Sequence, residues 1–315
     1  MAFPVFGSAL EAARFAPCAV LACGAFDGVH IGHRALLEQA RTRAAALGGK
    51  ALALTFEPHP AAVLCPDRAP AALSTPAQRL ARFEALGMDG ALVLPFTREF
   101  AALSPEQFLQ SVLGAWTSDP SRHAEIHSGP NWRFGCGGKG TPKDVPMLSE
   151  GRIVATEVPF VLLDGKPVSS TRVREAIAAG RMDEAARLLG TPYEILETAE
   201  PAPSRGVGTR IGAPTANVFP RSPALPPEGV YALDVRVDGT TYRAVANYGY
   251  RPTFPDARPD RPLLEIHLLD YSGAPLYGNP LAISFLRRLR DERTFSTEAE
   301  LSAQIQADVR QARSI

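Results

Sequence analysis

The stretch CAVLACGAFDGVHIGH, residues 18–33, does most to define the fold. Residues 18–23 form a short apolar run that ends at Gly24, which favours a buried strand of a parallel sheet. Residues 34–47 place their apolar side chains on one face and predict an amphipathic helix. A glycine-bearing loop between such a strand and a helix N-terminus is typical of anion sites in α/β domains.

The residues that follow continue this alternation of strands and helices. The predicted elements are strands at 51–56 and 91–94, and helices at 76–86, 105–113, 171–179 and 182–189. The pattern indicates an open, mostly parallel α/β sheet, which binds its ligand beyond the carboxyl ends of the strands.

The character of the sequence changes near residue 190. Eight prolines lie between residues 192 and 227, more than a helix or a central strand tolerates. Short strand-like runs separated by Gly, Asp and Pro turns follow, and they predict a small antiparallel barrel. An amphipathic helix is expected over residues 296–313. We therefore predict two domains, 1–186 and 187–315.

The composition excludes some classes of function. The 315 residues carry 33 Lys and Arg against 33 Asp and Glu, so the chain has no general basic field for a nucleic acid or an anionic membrane. The four cysteines form no C-x-x-C pair, which favours reduced thiols in the cytoplasm over disulfides or a structural zinc site. We expect small-molecule partners, no nucleic-acid or membrane partner, and a monomer or a weak homo-oligomer.

Two histidines flank Gly32 in the loop. His30 and His33 lie at the start of the predicted helix, where both imidazoles can donate to one polyphosphate beside the N–H groups of the first turn. Two ordinary capping or surface histidines are the simplest alternative. A zinc site is another, although no third ligand is obvious. The glycine spacing and the strand–loop–helix context favour phosphate binding.

A second set of polar residues occurs in the C-terminal half. Thr215 and Asn217 share one face of an extended segment and offer oxygen ligands that suit Mg²⁺. A turn in which Asn217 bonds its local backbone is the alternative. Glu265 and His267 also share one face of a strand. A carboxylate that faces inward on an apolar strand is more often a base or a ligand than a solvated charge. We expect Glu265 to point into the barrel mouth near Thr215 and Asn217.

Several motifs together resemble one family. Residues 24–33, G-x-F-D-G-x-H-x-G-H, are similar to the nucleotidyltransferase signature of the bacterial bifunctional riboflavin kinase/FMN adenylyltransferases, also called FAD synthetases. Further segments resemble the same family in the same order: FEPHP at 56–60, NWRFG at 131–135, VSSTRVR at 168–174, PTAN at 214–217, VANYGYRPTF at 245–254 and LEIHLLD at 264–270. The resemblance covers most of the chain, residues 18–308.

The resemblance implies a fold and two reactions. The fold would be a Rossmann-like nucleotidyltransferase domain followed by a riboflavin kinase-like barrel and a C-terminal helix. The substrates would be riboflavin, FMN and the co-substrate ATP, with Mg²⁺ as the metal. Glu265 would act as the base of the kinase step, and His30 and His33 would stabilise charge in the adenylyl step.

The resemblance also implies binding roles for individual residues. The residues implied to bind ATP or phosphate are Gly24, Phe26, Asp27, Gly32, Pro58, His59, Asn131, Ser170, Thr171, Arg172, Arg174, Gly206 and Gly208. Mg²⁺ would be held by Thr215 and Asn217, and the flavin would be held by Arg133 and Arg251.

Two segments depart from the family pattern. Thr209 stands where the family has arginine, Ala213 stands where it has phenylalanine, and residues 136–140 lack an arginine that is common there. Two alternatives therefore stay open. In one, only the adenylyltransferase site is competent. In the other, the chain is a flavin- or nucleotide-binding protein without turnover.

Overall fold

The computed structural model describes residues 2–201, 215–250 and 262–315. Contacts within the chain define two compact units, Met1–Ser170 and Thr171–Ile315. Residues 171–186 thus group with the second unit, because their side chains pack there: Asp183 pairs with Arg287 at 3.2 Å. The domain boundary at 186/187 stays a prediction, since it marks a change in sequence character and not a division of contacts.

A parallel sheet forms the first unit. In the described part of this unit its strands are β1 (Val5–Phe6), β2 (Cys18–Cys23), β3 (Lys50–Glu57), β4 (Gly90–Pro95), β5 (His123–Ser128) and β6 (Ile153–Glu157). Their order is β1-β4-β3-β2-β5-β6, so the winding direction reverses between β2 and β5. This arrangement confirms the predicted Rossmann-like α/β fold, and the reversal point is where such sheets bind ligands.

Helices cover both faces of this sheet. Those of the first unit are α1 (Ala9–Phe15), α2 (Ile31–Ala46), α3 (Pro60–Leu64), α4 (Pro76–Ala85), α5 (Arg98–Ala101), α6 (Pro105–Thr117) and α7 (Val145–Leu148), and a hairpin of β7 (Leu162–Leu163) and β8 (Lys166–Pro167) follows. One core, around Trp116, lies on the α1 and α6 side, and the other, around Phe83, lies on the α2 and α4 side. The helices α4 and α6 both begin with a capping box and a proline, as their sequences predict.

The second unit is built on an antiparallel sheet. Its elements are α8 (Ser170–Ala178), α9 (Met182–Leu189), β9 (Tyr193–Thr198), β10 (Thr215–Val218), β11 (Gly229–Val237), β12 (Thr240–Gly249), β13 (Leu263–Leu268), β14 (Pro280–Arg290) and α10 (Glu298–Arg313). The strand order is β10-β13-β12-β11-β14-β9. The Glu200 N–H, just after β9, donates to the Asn217 carbonyl at 2.8 Å and so brings the two edge strands together. The predicted antiparallel barrel and C-terminal helix are confirmed.

The two faces of the barrel sheet have different neighbours. The interior face carries apolar residues that pair across strands, such as Ala216, Ile266 and Ala246, all at most 1% exposed. Helix α10 packs on the opposite face, where Ala312 meets Val245. Glu265 alternates with the interior residues and therefore lies on the face of Val245. The expectation that Glu265 faces inward is therefore wrong, because the inward face belongs to Ile266 and its neighbours.

In the ranges described, no helix is both long and apolar enough to cross a membrane.

Candidate active sites

The loop after β2 lies at the point where the winding of the parallel sheet reverses. Its backbone turns through left-handed conformations at Phe26, Gly28 and Val29, with φ angles of 53°, 81° and 43°. Two of these residues are not glycine, so the turn is strained and must be stabilised by its surroundings. The Phe26 ring is fully buried and packs edge-on against Phe83, which anchors the loop to the core.

His30 caps helix α2 and stacks on His33. The His30 Nδ1 accepts the His33 N–H at 3.2 Å, so the ring proton lies on Nε2 and remains a donor. The two imidazoles are nearly parallel, with centroids 3.6 Å apart. A Cβ at Gly32 would lie 3.2 Å from the His30 ring, which explains the glycine between them. The capping interpretation is thus correct for His30, and it is compatible with phosphate binding because the cap uses Nδ1 alone.

Both imidazoles are neutral near pH 7 in this state. Burial lowers the pKa of His30 to about 4, and burial together with the neighbouring His30 lowers the pKa of His33 well below its ordinary value. The Nδ1 atom of His33 is buried and has no hydrogen-bond partner. A buried polar atom without a partner at a helix N-terminus is what a site completed by its ligand would show.

Asp27 ties the loop to the segment before α4. Its carboxylate accepts the Leu73 N–H at 2.9 Å and the Ser74 N–H at 3.2 Å, and it is 5% exposed. The Asp27 carbonyl accepts the Ser170 hydroxyl at 2.9 Å, so this serine is bound to the loop. Through these contacts Asp27 stabilises the conformation of the loop. A direct contact between Asp27 and ATP stays a prediction.

Two arginines on α4 also bind the loop, and the sequence analysis missed both. Arg79 Nη1 donates to the Ala25 carbonyl at 3.0 Å, and Arg82 Nη1 donates to the Gly28 carbonyl at 2.7 Å. The only signal in the sequence is their spacing of three residues, which places them on one face of the helix.

The neighbouring strands bring further predicted residues to the same edge of the sheet. Pro58 and His59 follow β3, and His59 caps α3 by accepting the Ala61 N–H on Nδ1 at 3.1 Å. Asn131 follows β5 and is exposed. Arg133 folds back on its own loop and donates to the Trp132 carbonyl at 2.8 Å, so a flavin contact by Arg133 stays a prediction.

The second unit holds a row of polar residues across three strands. Asn217 on β10 pairs in register with Glu265 on β13, and Glu265 pairs with Asn247 on β12. Asn247 donates to Glu292 at 2.8 Å. Thr215 pairs with His267, the next residue on the same face of β13, so the predicted residues meet on one surface.

The residues of this row fit a magnesium ion. Asn217 is 2% exposed, and its amide oxygen is a ligand type that suits Mg²⁺. Its amide Nδ2, buried without a partner, is a donor that suits a phosphate oxygen. Thr215 and Glu265 add hydroxyl and carboxylate oxygens, the ligand types that Mg²⁺ prefers. Over the described ranges, no cluster of three or more His, Cys, Asp or Glu is placed to hold a metal by itself. A Mg²⁺ shared with ATP phosphates needs only one or two protein ligands.

The remaining predicted residues are distributed as follows. Gly24 directly follows β2, Gly32 lies in the first turn of α2, and Thr171 is exposed at the start of α8. Arg172 Nη2 lies 3.9 Å from Glu184 Oε1. Arg174 lies on helix α8 together with Arg172. Gly206, Gly208 and Arg251 lie outside the described residues, and so do Thr209 and Ala213.

The fold and the two sites define a two-domain enzyme that transfers groups from nucleotides. The FAD synthetase family matches residues 13–172, and the riboflavin kinase family matches residues 189–315. The chain is 38% identical to the bifunctional riboflavin kinase/FMN adenylyltransferase of Bacillus subtilis, over 93% of this chain and 91% of that protein. The chain therefore belongs to the bifunctional riboflavin kinase/FMN adenylyltransferase family, and it is a transferase with both domains.

Other comparisons agree with this assignment. The protein of the same name from Pseudomonas fluorescens is 36% identical over 94% of this chain and 92% of its own length. A crystal structure from Streptococcus pneumoniae, titled a macrolide-efflux protein, superimposes with a TM-score of 0.83 at 27% identity and full coverage of both chains. This likeness supports the fold.

Proposed function

We propose that this chain makes FAD from riboflavin in two ATP-dependent steps, with Glu265 as the base of the first and the His30–His33 pair as the charge-stabilising group of the second. The observation that carries the proposal is that each unit holds its own set of phosphate-handling residues. The stacked histidines lie at the winding reversal of the parallel sheet, and the row of Asn217, Glu265 and Asn247 crosses the barrel sheet.

In the kinase step, the 5′-hydroxyl of riboflavin attacks the γ-phosphate of ATP and gives FMN and ADP. Glu265 accepts the proton of that hydroxyl as the new bond forms. Thr215 and Asn217 would hold Mg²⁺, which would supply the positive charge that offsets charge on the transferred phosphoryl group. The neighbouring His267 stays neutral near pH 7, because burial lowers its pKa.

In the adenylyl step, the phosphate of FMN attacks the α-phosphate of a second ATP, and pyrophosphate leaves. His30 donates from Nε2 and His33 donates from its own ring N–H to the oxygens on which charge accumulates. The N-terminus of α2 adds its positive dipole end at the same place. The phosphate-pairing role that the resemblance implies for Arg172 and Arg174 stays a prediction. No side chain forms a covalent bond in either step.

Other properties follow as parts of the proposal. The four cysteines are free thiols, which supports an enzyme of the reducing cytoplasm. The balanced charge supports small-molecule partners and no nucleic-acid partner, and we propose a monomer or a weak homo-oligomer. An enzyme with only the adenylyltransferase site is a second candidate, favoured by Thr209 and Ala213 in place of the family's arginine and phenylalanine.

Labelled ATP distinguishes these candidates. With riboflavin as the substrate, label from the γ-phosphate should enter both FMN and FAD, whereas label from the α-phosphate should enter FAD alone. With FMN as the substrate, γ-label should leave as pyrophosphate and should not enter FAD. Label in FAD from FMN but none in FMN from riboflavin would support the adenylyltransferase alone. No label in any flavin would contradict the proposal and leave only flavin or nucleotide binding.

A further inference from the structure

The carbonyl groups of residues 25–28, in the histidine-bearing loop, all accept hydrogen bonds, and that of Ala25 also accepts the Thr55 hydroxyl at 3.3 Å. Those of Ala25, Asp27 and Gly28 accept hydrogen bonds from Arg79, Ser170 and Arg82. The Phe26 carbonyl accepts the Val29 N–H at 3.1 Å. Because each of these carbonyls accepts a hydrogen bond from a defined donor, the donors fix the conformation of the loop. These donors therefore set the conformation in which the loop would meet a phosphate.

Arg79 is the donor that joins two parts of the site. Its guanidinium is buried, with 6% of the side chain exposed, and it binds the Ala25 carbonyl through Nη1. Its Nη2 forms an ion pair with Glu57, the last residue of β3. Glu57 directly precedes Pro58 and His59. One planar guanidinium thus connects the loop after β2 with the turn after β3.

The chemistry of this contact requires arginine. The rigid fork of a guanidinium binds two acceptors in fixed directions, whereas a lysine ammonium is a single point charge on a flexible stem. The buried charge is balanced by Glu57, whose side chain is 42% exposed at the edge of the sheet. Loss of Arg79 would release the strained turn at Phe26 and Val29 from one of its supports.

We propose that Arg79 is a positioning residue of the adenylyltransferase site, which fixes the loop of His30 and His33 relative to the turn of His59. Arg79 acts through the Ala25 carbonyl and the Glu57 carboxylate and does not touch the reacting atoms. This inference rests on the proposed adenylyl step. A displacement of catalytic groups by about 1 Å typically costs ~10²-fold in rate, which sets the size of the expected effect.

The test compares Arg79→Ala, Arg79→Lys and Glu57→Gln with the full-length wild-type chain. The rate and the ATP dependence of FMN adenylylation are measured with supplied FMN, and riboflavin phosphorylation is measured in the same preparations. Arg41→Ala is the matched control, because Arg41 forms an exposed ion pair with Glu38 at 2.6 Å, within helix α2. Added guanidinium ion is the rescue probe for Arg79→Ala.

We expect Arg79→Ala to lower kcat/KM for adenylylation by ~10²-fold, mainly through kcat, while riboflavin phosphorylation and Arg41→Ala stay within about twofold of wild type. Millimolar guanidinium should restore part of the lost rate in Arg79→Ala and none in His30→Ala. The Arg79→Ala/Glu57→Gln double variant should be no slower than Arg79→Ala, because the two residues act through one contact.

Several results would overturn the inference. One is adenylylation by Arg79→Ala within about threefold of wild type. Another is a loss in which kinase and adenylylation rates fall together, without rescue by guanidinium, because that marks a residue needed only for folding. If Arg79→Ala does not fold, Arg79→Lys and Glu57→Gln test the positioning role of Arg79 instead. Wild-type kinetics of adenylylation in both variants would reject that role. A wild-type chain that makes no FAD would instead reject the proposed function.

Discussion

The protonation of His30 should make the first unit lose stability as the pH falls. Burial lowers the pKa of His30 from its ordinary value of 6.5 to about 4 in the folded state. The unfolded chain therefore binds more protons between these two values, so the stability is fully present above pH 6.5 and is lost as the pH falls toward 4. The whole difference corresponds to ~3 kcal/mol, and ~2 kcal/mol of it should disappear between about pH 7.5 and about pH 5.

Urea unfolding followed by tryptophan fluorescence measures the stability of the first unit, where His30 lies. The two tryptophans, Trp116 and Trp132, both lie in the first unit. His30→Asn keeps an N-cap acceptor for α2 but does not titrate in this range. The variant should lose ~2 kcal/mol less than wild type over this pH interval, and the residual dependence should reflect His33 and other groups.

His267→Gln is the control for this measurement, because His267 is also partly buried but lies in the second unit. It should leave the fluorescence-detected pH dependence unchanged. Equal losses of stability for wild type and His30→Asn would refute the assignment of His30 as a buried, neutral imidazole.

Three further predictions concern the two sites. His30→Ala and His33→Ala should each lower FAD formation from supplied FMN by ~10²–10³-fold and leave riboflavin phosphorylation unchanged, as measured by chromatography of the flavins. Glu265→Gln should lower FMN formation by ~10²–10⁴-fold while riboflavin still binds and supplied FMN is still adenylylated; loss of binding together with rate would identify a structural carboxylate. Gly32→Ala should slow adenylylation ~10-fold or more in steady-state kinetics, because its Cβ would lie 3.2 Å from the His30 ring. A wild-type rate in this variant would show that the packing of Gly32 against His30 is unimportant.

The sequence predicted those parts of the fold that depend on local pattern. The apolar strands β2, β3 and β4 and the capped helices α4 and α6 were found, because alternation, capping residues and prolines are local signals. Strand β5 was missed, because its buried Glu125 and His127 interrupt the apolar run. Glu125 is stabilised by Arg43 of α2 at 2.7 Å, a contact across the chain that no local pattern reveals.

The same distinction applies to the candidate sites. The motifs indicated His30, His33, Thr215, Asn217 and Glu265, and the register of the strands brings the last three together. The role of Arg79 could not be predicted, because it depends on contacts with residues far away in the sequence. The face on which Glu265 lies was also not predictable from alternation, since alternation separates two faces without saying which one the C-terminal helix covers.

One chain should carry out both steps of FAD synthesis. The most direct test is a time course in which the purified wild-type chain is given riboflavin, ATP and Mg²⁺, and the three flavins are separated by chromatography. Riboflavin should decrease, FMN should appear first, and FAD should accumulate from FMN. Persistence of riboflavin without FMN, while supplied FMN is converted to FAD, would contradict the claim for the kinase site. Unchanged riboflavin and unchanged supplied FMN would contradict it altogether.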